Sequence, residues 1–424
     1  MSNRYSTARR APLQNVICAA LVVMATALLC VLSGTAHAQT LTTLYYFRDN
    51  GDGAGPFAGL TPDGKGNFFG TTQQSGAFGG GTAYELSPDG SGNWNLSTIW
   101  NFGGPSDGSA PSFSMVRDKN GRLFGETQSG GAGSGTVFVL TPPASAGESW
   151  TESVIYDGSA FHLYGGIALD SVGAIYGTQI LGGTNNQGLV FKLTPLAGGG
   201  YSAATIYNFG GTFSGDAEEP YGLLSIDRSG NLYGTTHIGG SSNIGAVYKL
   251  TPPHGGTGAY TETVIYSFTG GATGCHPDGN LLLDRSGQIY GTTTECGGTA
   301  NAGMVFRLSS PKSGSSPWTE TVIKRFGSAT GGGQYASLTV NPKTTTLYGT
   351  SFYSGGYGLV FQLTPPASGK GIWNETILHT FSGGFHGFDG GYPVGPLVWD
   401  ASGTLYGVTN WETGLSGTIF SLTP

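Results

Sequence analysis

Seven glycines, Gly70, Gly125, Gly177, Gly234, Gly291, Gly349 and Gly407, each sit inside a version of one phrase, Leu-Tyr-Gly-Thr-Thr. They are spaced 52 to 58 residues apart. A recurring unit of this length restricts a chain to a solenoid or a propeller, because one unit cannot bury its apolar faces alone. Each period breaks into four short runs with strand character. Run A ends on Asp63, Asp118, Asp170, Asp227, Asp284, Asn341 or Asp400, followed by a turn such as Asp-Arg-Ser-Gly. Asp bonds its own backbone two residues on and Gly accepts positive φ, which is hairpin-turn chemistry. Run B is the phrase itself. Run C reads Gly-x-Val-Phe-x-Leu-Thr-Pro, and its Pro, lacking an N–H, ends the strand. Run D, of the type Trp-Thr-Glu-Thr-Val-Ile, is rich in β-branched and aromatic residues.

The phase of the runs decides between rod and ring. Run D appears six times between a run C and the next run A, and the chain stops directly after the seventh run C. The missing copy lies at the other end, in Thr40–Phe47, which reads TLTTLYYF. An N-terminal strand that completes the last unit closes the circle and removes exposed sheet edges. The expected fold is therefore all-β: a seven-bladed β-propeller with four antiparallel strands per blade, A innermost and D outermost. The marker glycine is expected to make room for a large ring from the adjacent blade.

Residues 1–38 are read as a signal peptide, and 39–424 as one propeller domain. Arg4, Arg9 and Arg10 precede an apolar run from Val16 to Leu32, and Ala36-His37-Ala38 has the small-x-small form cut by signal peptidase. The run is short for a membrane span, so no transmembrane segment is expected after cleavage at Ala38. The mature chain would be secreted or periplasmic. Loss of the three arginines takes the net charge from −7 to −10. The 15 Lys and Arg that remain are outnumbered by 25 Asp and Glu, leaving no net positive charge to neutralise a phosphate backbone, so no nucleic-acid partner is expected. Glycine is abundant, at 77 residues, yet 12% of the chain is aromatic and its apolar residues are patterned, unlike a disordered tract.

The quoted repeats resemble those of secreted bacterial proteins with tandem GloVer repeats, the choice-of-anchor repeat proteins. The marks are LYGTT followed by paired glycines, G-x-VF-x-LTP, W-x-ET, and an Asp-Gly-x-x-Pro lead-in, seen at Asp107–Pro111. They cover nearly all of the expected mature chain. The resemblance implies an exported protein with a propeller-like body and implies no assigned chemistry. Members often carry a C-terminal anchoring segment, and this chain stops at Pro424 directly after run C, which leaves anchoring by that route open.

In a blade of order A-B-C-D, the D–A and B–C loops share one face of the ring. These glycine-rich loops hold His162, His237, His276 and His386, and also Trp411 and Glu412. These six are the candidate ligand-binding residues, for a small molecule, glycan or protein. The plainer explanation is that polar residues collect in exposed loops. No His-Glu-x-x-His or comparable spacing is present, so neither a metal nor another cofactor is expected. No catalytic residue is assigned: the Gly-x-Gly-x-x-Gly matches follow from glycine content, and no helix is expected to receive a phosphate. Glu152, Glu262, Glu320 and Glu375 recur at one place in run D and are read as structural, charge on an outer edge strand discouraging aggregation. Cys275 and Cys296 fall in two loops of one blade on one face, and an exported setting is oxidising, so a disulfide between them is expected. B–C loops stay even in length, whereas active sites are commonly built from elaborated loops. Binding or scaffolding is therefore favoured over the alternatives, a carbohydrate-active hydrolase or lyase and a purely structural matrix component. A monomer is expected. Departures from the repeat, at Gln179, in Asn341–Thr346 and at Trp411, mark where a localised function would sit.

Overall fold

The computed structural model describes residues 39–424, apart from 105, 132, 134, 146, 158–162, 211–215, 257, 299–300, 312–316, 328–336, 354–355, 370, 384–388 and 412–415. The side chains of Tyr164 and Trp411 are also outside the description. Thr40–Pro424 forms one compact unit.

Seven antiparallel sheets make seven blades, each running A-B-C-D from the axis outward. Blade 4 is typical: Ala217–Ile226, Leu232–Gly239, Ala246–Thr251 and Thr261–Ser267. In blade 2 the innermost strand is split into Gly108–Pro111 and Val116–Arg117. Blade 7 takes Gly391–Trp399, Leu405–Trp411 and Thr418–Thr423 from the C-terminus and Thr40–Tyr46 from the N-terminus. The closing pair is antiparallel, from Thr40 opposite Thr423 to Tyr46 opposite Thr418. The expected ring closure is thus the observed one. Among the described residues helical backbone is confined to a turn of 3-10 helix, Gly271–Thr273, and to Asn301.

The repeated phrase has a separate job for each residue. Its Leu or Ile is buried, as at Leu232, Ile289, Leu347 and Leu405. Its Tyr hydroxyl donates to the Asp that caps the preceding turn: Tyr176 to Asp170, Tyr233 to Asp227, Tyr290 to Asp284 and Tyr406 to Asp400. The same Asp carboxylate accepts the N–H groups two and four residues on, as Asp227 does from Ser229 and Asn231. The turn and the strand it launches are therefore fastened by one side chain.

The glycine corrects one expectation. A Cβ at any of the seven would fall within 3.0 Å of the ring facing it, and that ring belongs to strand C of the same blade. The rings are Tyr84, Phe138, Phe191, Tyr248, Phe306, Phe361 and Phe420, with Gly70 directly opposite Tyr84 and Gly234 opposite Tyr248. The adjacent blade enters one layer further out. The Phe that follows its strand D packs on that ring: Phe47 on Tyr84 at 5.3 Å, Phe102 on Phe138 at 4.8 Å, Phe209 on Tyr248 at 5.1 Å and Phe268 on Phe306 at 5.2 Å. Burial of each such ring contributes about 1.5–3 kcal/mol, and each edge-to-face pair about 0.5–1.5 kcal/mol more. Phe47 gives the N-terminal strand a second hold, on blade 1 as well as blade 7.

Inner strands of successive blades also bond to one another. Ser225 Oγ donates to Leu281 O at 2.6 Å, and Trp399 Nε1 to Val340 O at 3.1 Å. The outer-strand glutamates act in the same direction. Tyr266 donates to Glu320 at 2.8 Å, and Lys324 pairs with Glu375, each across a blade boundary. Glu320 and Glu375 thus work as ties between neighbouring strands D rather than as bare edge charges.

Candidate functional site

Where strand A has a Pro lead-in, it locks the blade to the one before it. In five blades the residue ahead of that Pro has left-handed backbone: Gly55, Ala110, Glu219, His276 and Tyr392, with φ from 51° to 64°. A non-glycine residue there costs about 1–3 kcal/mol, and a following Pro narrows the choices further. The surroundings hold the conformation in place. Each N–H donates to a carbonyl in the B–C loop of the preceding blade: Gly55 to Ser416, Ala110 to Gly80, Glu219 to Gln187, His276 to Ile244, Tyr392 to Tyr357. Each Pro ring then lies over the glycine that opens the preceding strand C, as Pro277 does over Gly245 and Pro393 over Gly358. The Asp of the lead-in is taken up in the same way. Asp52 accepts from Tyr45, Asp107 from Trp100, Asp216 from Tyr207 and Asp389 from His379. Blades 3 and 6 have no Pro at this point, and most of their lead-ins lie outside the described residues.

This latch is constant, and what it presents is not. The left-handed residue meets the side chain three places after the marker glycine of the preceding blade. At the junction of blades 4 and 5, His276 stacks on His237, with ring centroids 4.3 Å apart and planes at 25°. At the junction of blades 6 and 7, Tyr392 stacks on Phe352 at 4.8 Å and 25°. The residue after the Pro meets the same neighbour: Ser112 accepts from Gln73 at 2.7 Å, and Asp278 binds His237 Nδ1 at 2.8 Å. All these groups stand where strands A and B, the two inner strands, open onto the D–A and B–C loops. They line one mouth of the propeller.

The first cluster is polar. Asp278 also accepts from Thr294 Oγ1 at 3.2 Å, and His276 Nδ1 lies 2.9 Å from the carbonyl of His237. The hydrogen bond to Asp278 holds the His237 pKa above its ordinary value against partial burial, with the charges of Asp278, Glu219 and Glu295 adding to it. The predicted disulfide Cys275–Cys296 is present beside this cluster, with Cα atoms 5.4 Å apart. The second cluster is aromatic. Tyr353 packs on Phe352 at 4.7 Å and on Tyr392 at 5.6 Å, and Tyr357 lies 6.0 Å from Tyr392. Tyr353 is 54% exposed.

Of the sequence candidates, His237 and His276 are brought together. His162, His386 and Glu412 lie outside the described residues. Trp411 ends strand B of blade 7, paired with Gly391, two residues from Pro393; its side chain is not described. Sequence reasoning missed Tyr392, Phe352, Tyr353 and Asp278. Aligning the repeats on Pro and on the marker glycine would have found them, since Tyr392 and His276 share one offset, and Phe352 and His237 another. It also missed Glu126, which stands in blade 2 where most blades have Thr. Its side chain is buried and Oε1 accepts the N–H of Gly166, from the next blade, at 2.8 Å. Burial pushes its pKa up to about 7, against the opposing effect of the Gly166 and Gly165 N–H groups.

The molecule is a seven-bladed β-propeller that presents a histidine pair at one blade junction and an aromatic pair at another, on the same mouth. A likeness in fold extends to proteins of unrelated sequence. The repeats themselves are those of the Gloeobacter/Verrucomicrobia repeat family, whose profile matches residues 153–356. No curated protein matches the sequence. Similar solved structures include an ulvan lyase of the polysaccharide lyases, in complex with a saccharide, at TM-score 0.51 and 12% identity, over 89% of this chain and 95% of that one. Another is PorZ, a surface component of the type-IX secretion system of Porphyromonas gingivalis, at TM-score 0.51 and 12% identity. That match covers 85% of this chain and 45% of PorZ. Identities this low speak to the fold alone. Among the described residues no helix is long and apolar enough to cross a membrane.

Proposed function

We propose that the protein is exported by a signal peptide over residues 1–38 and binds carbohydrate, without catalysis, at the mouth between blades 6 and 7. The observation that carries this reading is the interlocked set Phe352, Tyr353, Tyr357 and Tyr392, with Tyr353 turned to solvent. Exposed aromatic patches on a soluble surface mark binding sites, and aromatic faces joined to a few polar groups are what ligand pockets use. A pyranose has an apolar C–H face that matches a tyrosine ring and hydroxyls that match its phenol. The left-handed backbone that Tyr392 shares with the other latches holds its ring against Phe352. The even loop lengths also favour binding over catalysis.

The test is a glycan array, followed by calorimetry on any hit, with wild type, Tyr353→Ala and Tyr392→Gly. Tyr392→Gly removes the ring and relieves the left-handed φ, so lost binding cannot be blamed on a damaged fold. Both variants should bind at least about fivefold more weakly, since an aromatic contact carries roughly 1 kcal/mol or more. Equal binding by all three would overturn the reading. The hydrogen-bonded pair His237–Asp278 favours a second reading, acid–base chemistry on a polysaccharide. Shortening of a bound polymer by wild type and not by His237→Ala would establish it.

A further inference from the structure

We propose that the glycan bound at this mouth carries free amines: a chain of amino sugars, cationic rather than neutral or acidic. The inference rests on the carbohydrate reading above and adds the charge of the ligand to it. Its ground is the placement of charge on the two faces of the disc. All seven B–C loops lack Lys and Arg, and among the D–A loops only the first holds one, Arg48. The backbone N–H of Arg48 donates to the latch carboxylate of Asp52. The mouth positions in the adjoining ends of strands A and B carry no Lys or Arg either. Acids stand there instead. Glu219, Asp278 and Glu295 are close enough to His237 to bear on its protonation, and the latch aspartates belong to the same loops. The opposite face alternates in sign: Asp118 is followed by Lys119 and pairs with Arg122, Asp227 is followed by Arg228, and Asp284 by Arg285. The excess of acid in the chain, 25 Asp and Glu against 18 Lys and Arg, is therefore gathered on the mouth face.

A mouth of this kind sorts ligands by charge before contact. Surfaces lined by one sign concentrate ions of the other and repel their own. A carboxylated or sulfated glycan meets that repulsion with no basic side chain to offset it, and a charge desolvated without a partner is costly. A protonated amine is drawn in, and the aromatic cluster is suited to receive it. Phe352 and Tyr392 are stacked, with centroids 4.8 Å apart and planes at 25°. Tyr353 stands beside both, 4.7 Å and 5.6 Å away, with its plane turned by 79° and 71°. Its ring is therefore not closed into the stack and stays 54% exposed. An open tyrosine ring attracts an ammonium group through its negative face, and the C–H face of the same sugar packs on what remains. A neutral sugar makes only the second contact. An acidic sugar makes the second against the field.

The test is calorimetry on the full chain with three oligosaccharides of equal length: glucosamine, N-acetylglucosamine and galacturonate oligomers. The first two share stereochemistry and differ in the acetyl group that removes the charge. At a pH that keeps the amines protonated, the glucosamine oligomer should bind at least about fivefold more tightly than its acetylated form, the order expected of one charge contact in water. The galacturonate oligomer should bind more weakly than either. Raising the salt from about 0.01 M to about 1 M shortens the screening length from about 30 Å to about 3 Å and should erase these differences. The register of blade 7 sets Asn410 opposite Tyr392, between the pairs Pro393–Thr409 and Gly391–Trp411. Asn410→Lys should therefore weaken binding of the glucosamine oligomer and strengthen that of galacturonate, whereas Asn410→Gln, which adds no charge, should match wild type. Tyr353→Ala separates this inference from the reading beneath it. If binding requires Tyr353 but the amine and acetyl forms bind equally, or galacturonate binds most tightly, the inference on charge is overturned and the carbohydrate reading stands. If no oligomer binds, or Tyr353→Ala binds as wild type does, both are overturned.

Discussion

Glu126 is the residue whose replacement reads most directly on the energetics of the ring. It is 1% exposed, Oε1 accepts from Gly166, and Oε2 has no hydrogen-bond partner among the described residues. Burial disfavours the charged form, so the folded protein holds the proton up to about pH 7, whereas an ordinary glutamate releases it near 4.5. Between these values the folded state binds more protons than the unfolded state. Stability therefore falls as pH rises through this window, and is flat on either side of it on this group's account. The interval corresponds to about 3 kcal/mol. Glu126→Gln removes the titration and keeps an oxygen for Gly166. Glu152, also pushed up to about 7 by burial, and other carboxyls give both proteins a common slope, which the difference between them cancels. Guanidinium unfolding of both proteins from pH 4 to pH 8, followed by tryptophan fluorescence, measures that difference. Between the two ends it should move by about 3 kcal/mol in favour of the Glu126→Gln variant. A difference that stays constant across the range would refute the reasoning.

Two further outcomes follow from the packing and the covalent tie. Gly234→Ala places a methyl against the Tyr248 ring, which is itself buried under Phe209; overpacking of this kind should cost about 1–3 kcal/mol, read as a lower denaturant midpoint with unchanged slope. Replacing Cys275 and Cys296 together by Ser opens a loop with a sequence separation of 21 and should lower stability by about 3 kcal/mol in the chain-entropy view. Mass spectrometry after alkylation, with and without reductant, checks that wild type has no free thiol there.

Much of the scaffold was legible because it rests on single residue types at fixed offsets. Asp before the turn, the marker glycine, and Thr-Pro closing strand C each repeat with the period, and the missing run D at Thr40–Phe47 gave the closure. The ring over the glycine was placed in the wrong blade for an identifiable reason. Strand pairing sets Gly70 opposite Tyr84 within a blade, and alternation alone does not reveal which neighbour fills the space. The site was less legible. His237 and His276 are 39 residues apart and meet only because the lead-in of one blade crosses the loop of the one before. Nothing in local preference suggests that His276, Tyr392 or Glu219 adopts left-handed backbone ahead of a proline; the carbonyl and glycine waiting in the preceding blade impose it. Glu126 did not stand out because the N–H groups its carboxylate accepts belong to Gly165 and Gly166 of the next blade.

The sheet of blade 7 joins the first and the last of the described strands, which leave the ribosome far apart in time. Throughout synthesis Thr40–Tyr46 waits, and Thr418–Thr423 must emerge before the clasp can shut. A nascent arc of blades therefore carries an open edge at one end and an unmated ribbon at the other, each the complement of its counterpart on a second molecule. Crowded chains would exchange these ribbons and link into dimers or longer strings, so dilution and rapid intramolecular fastening favour the solitary ring.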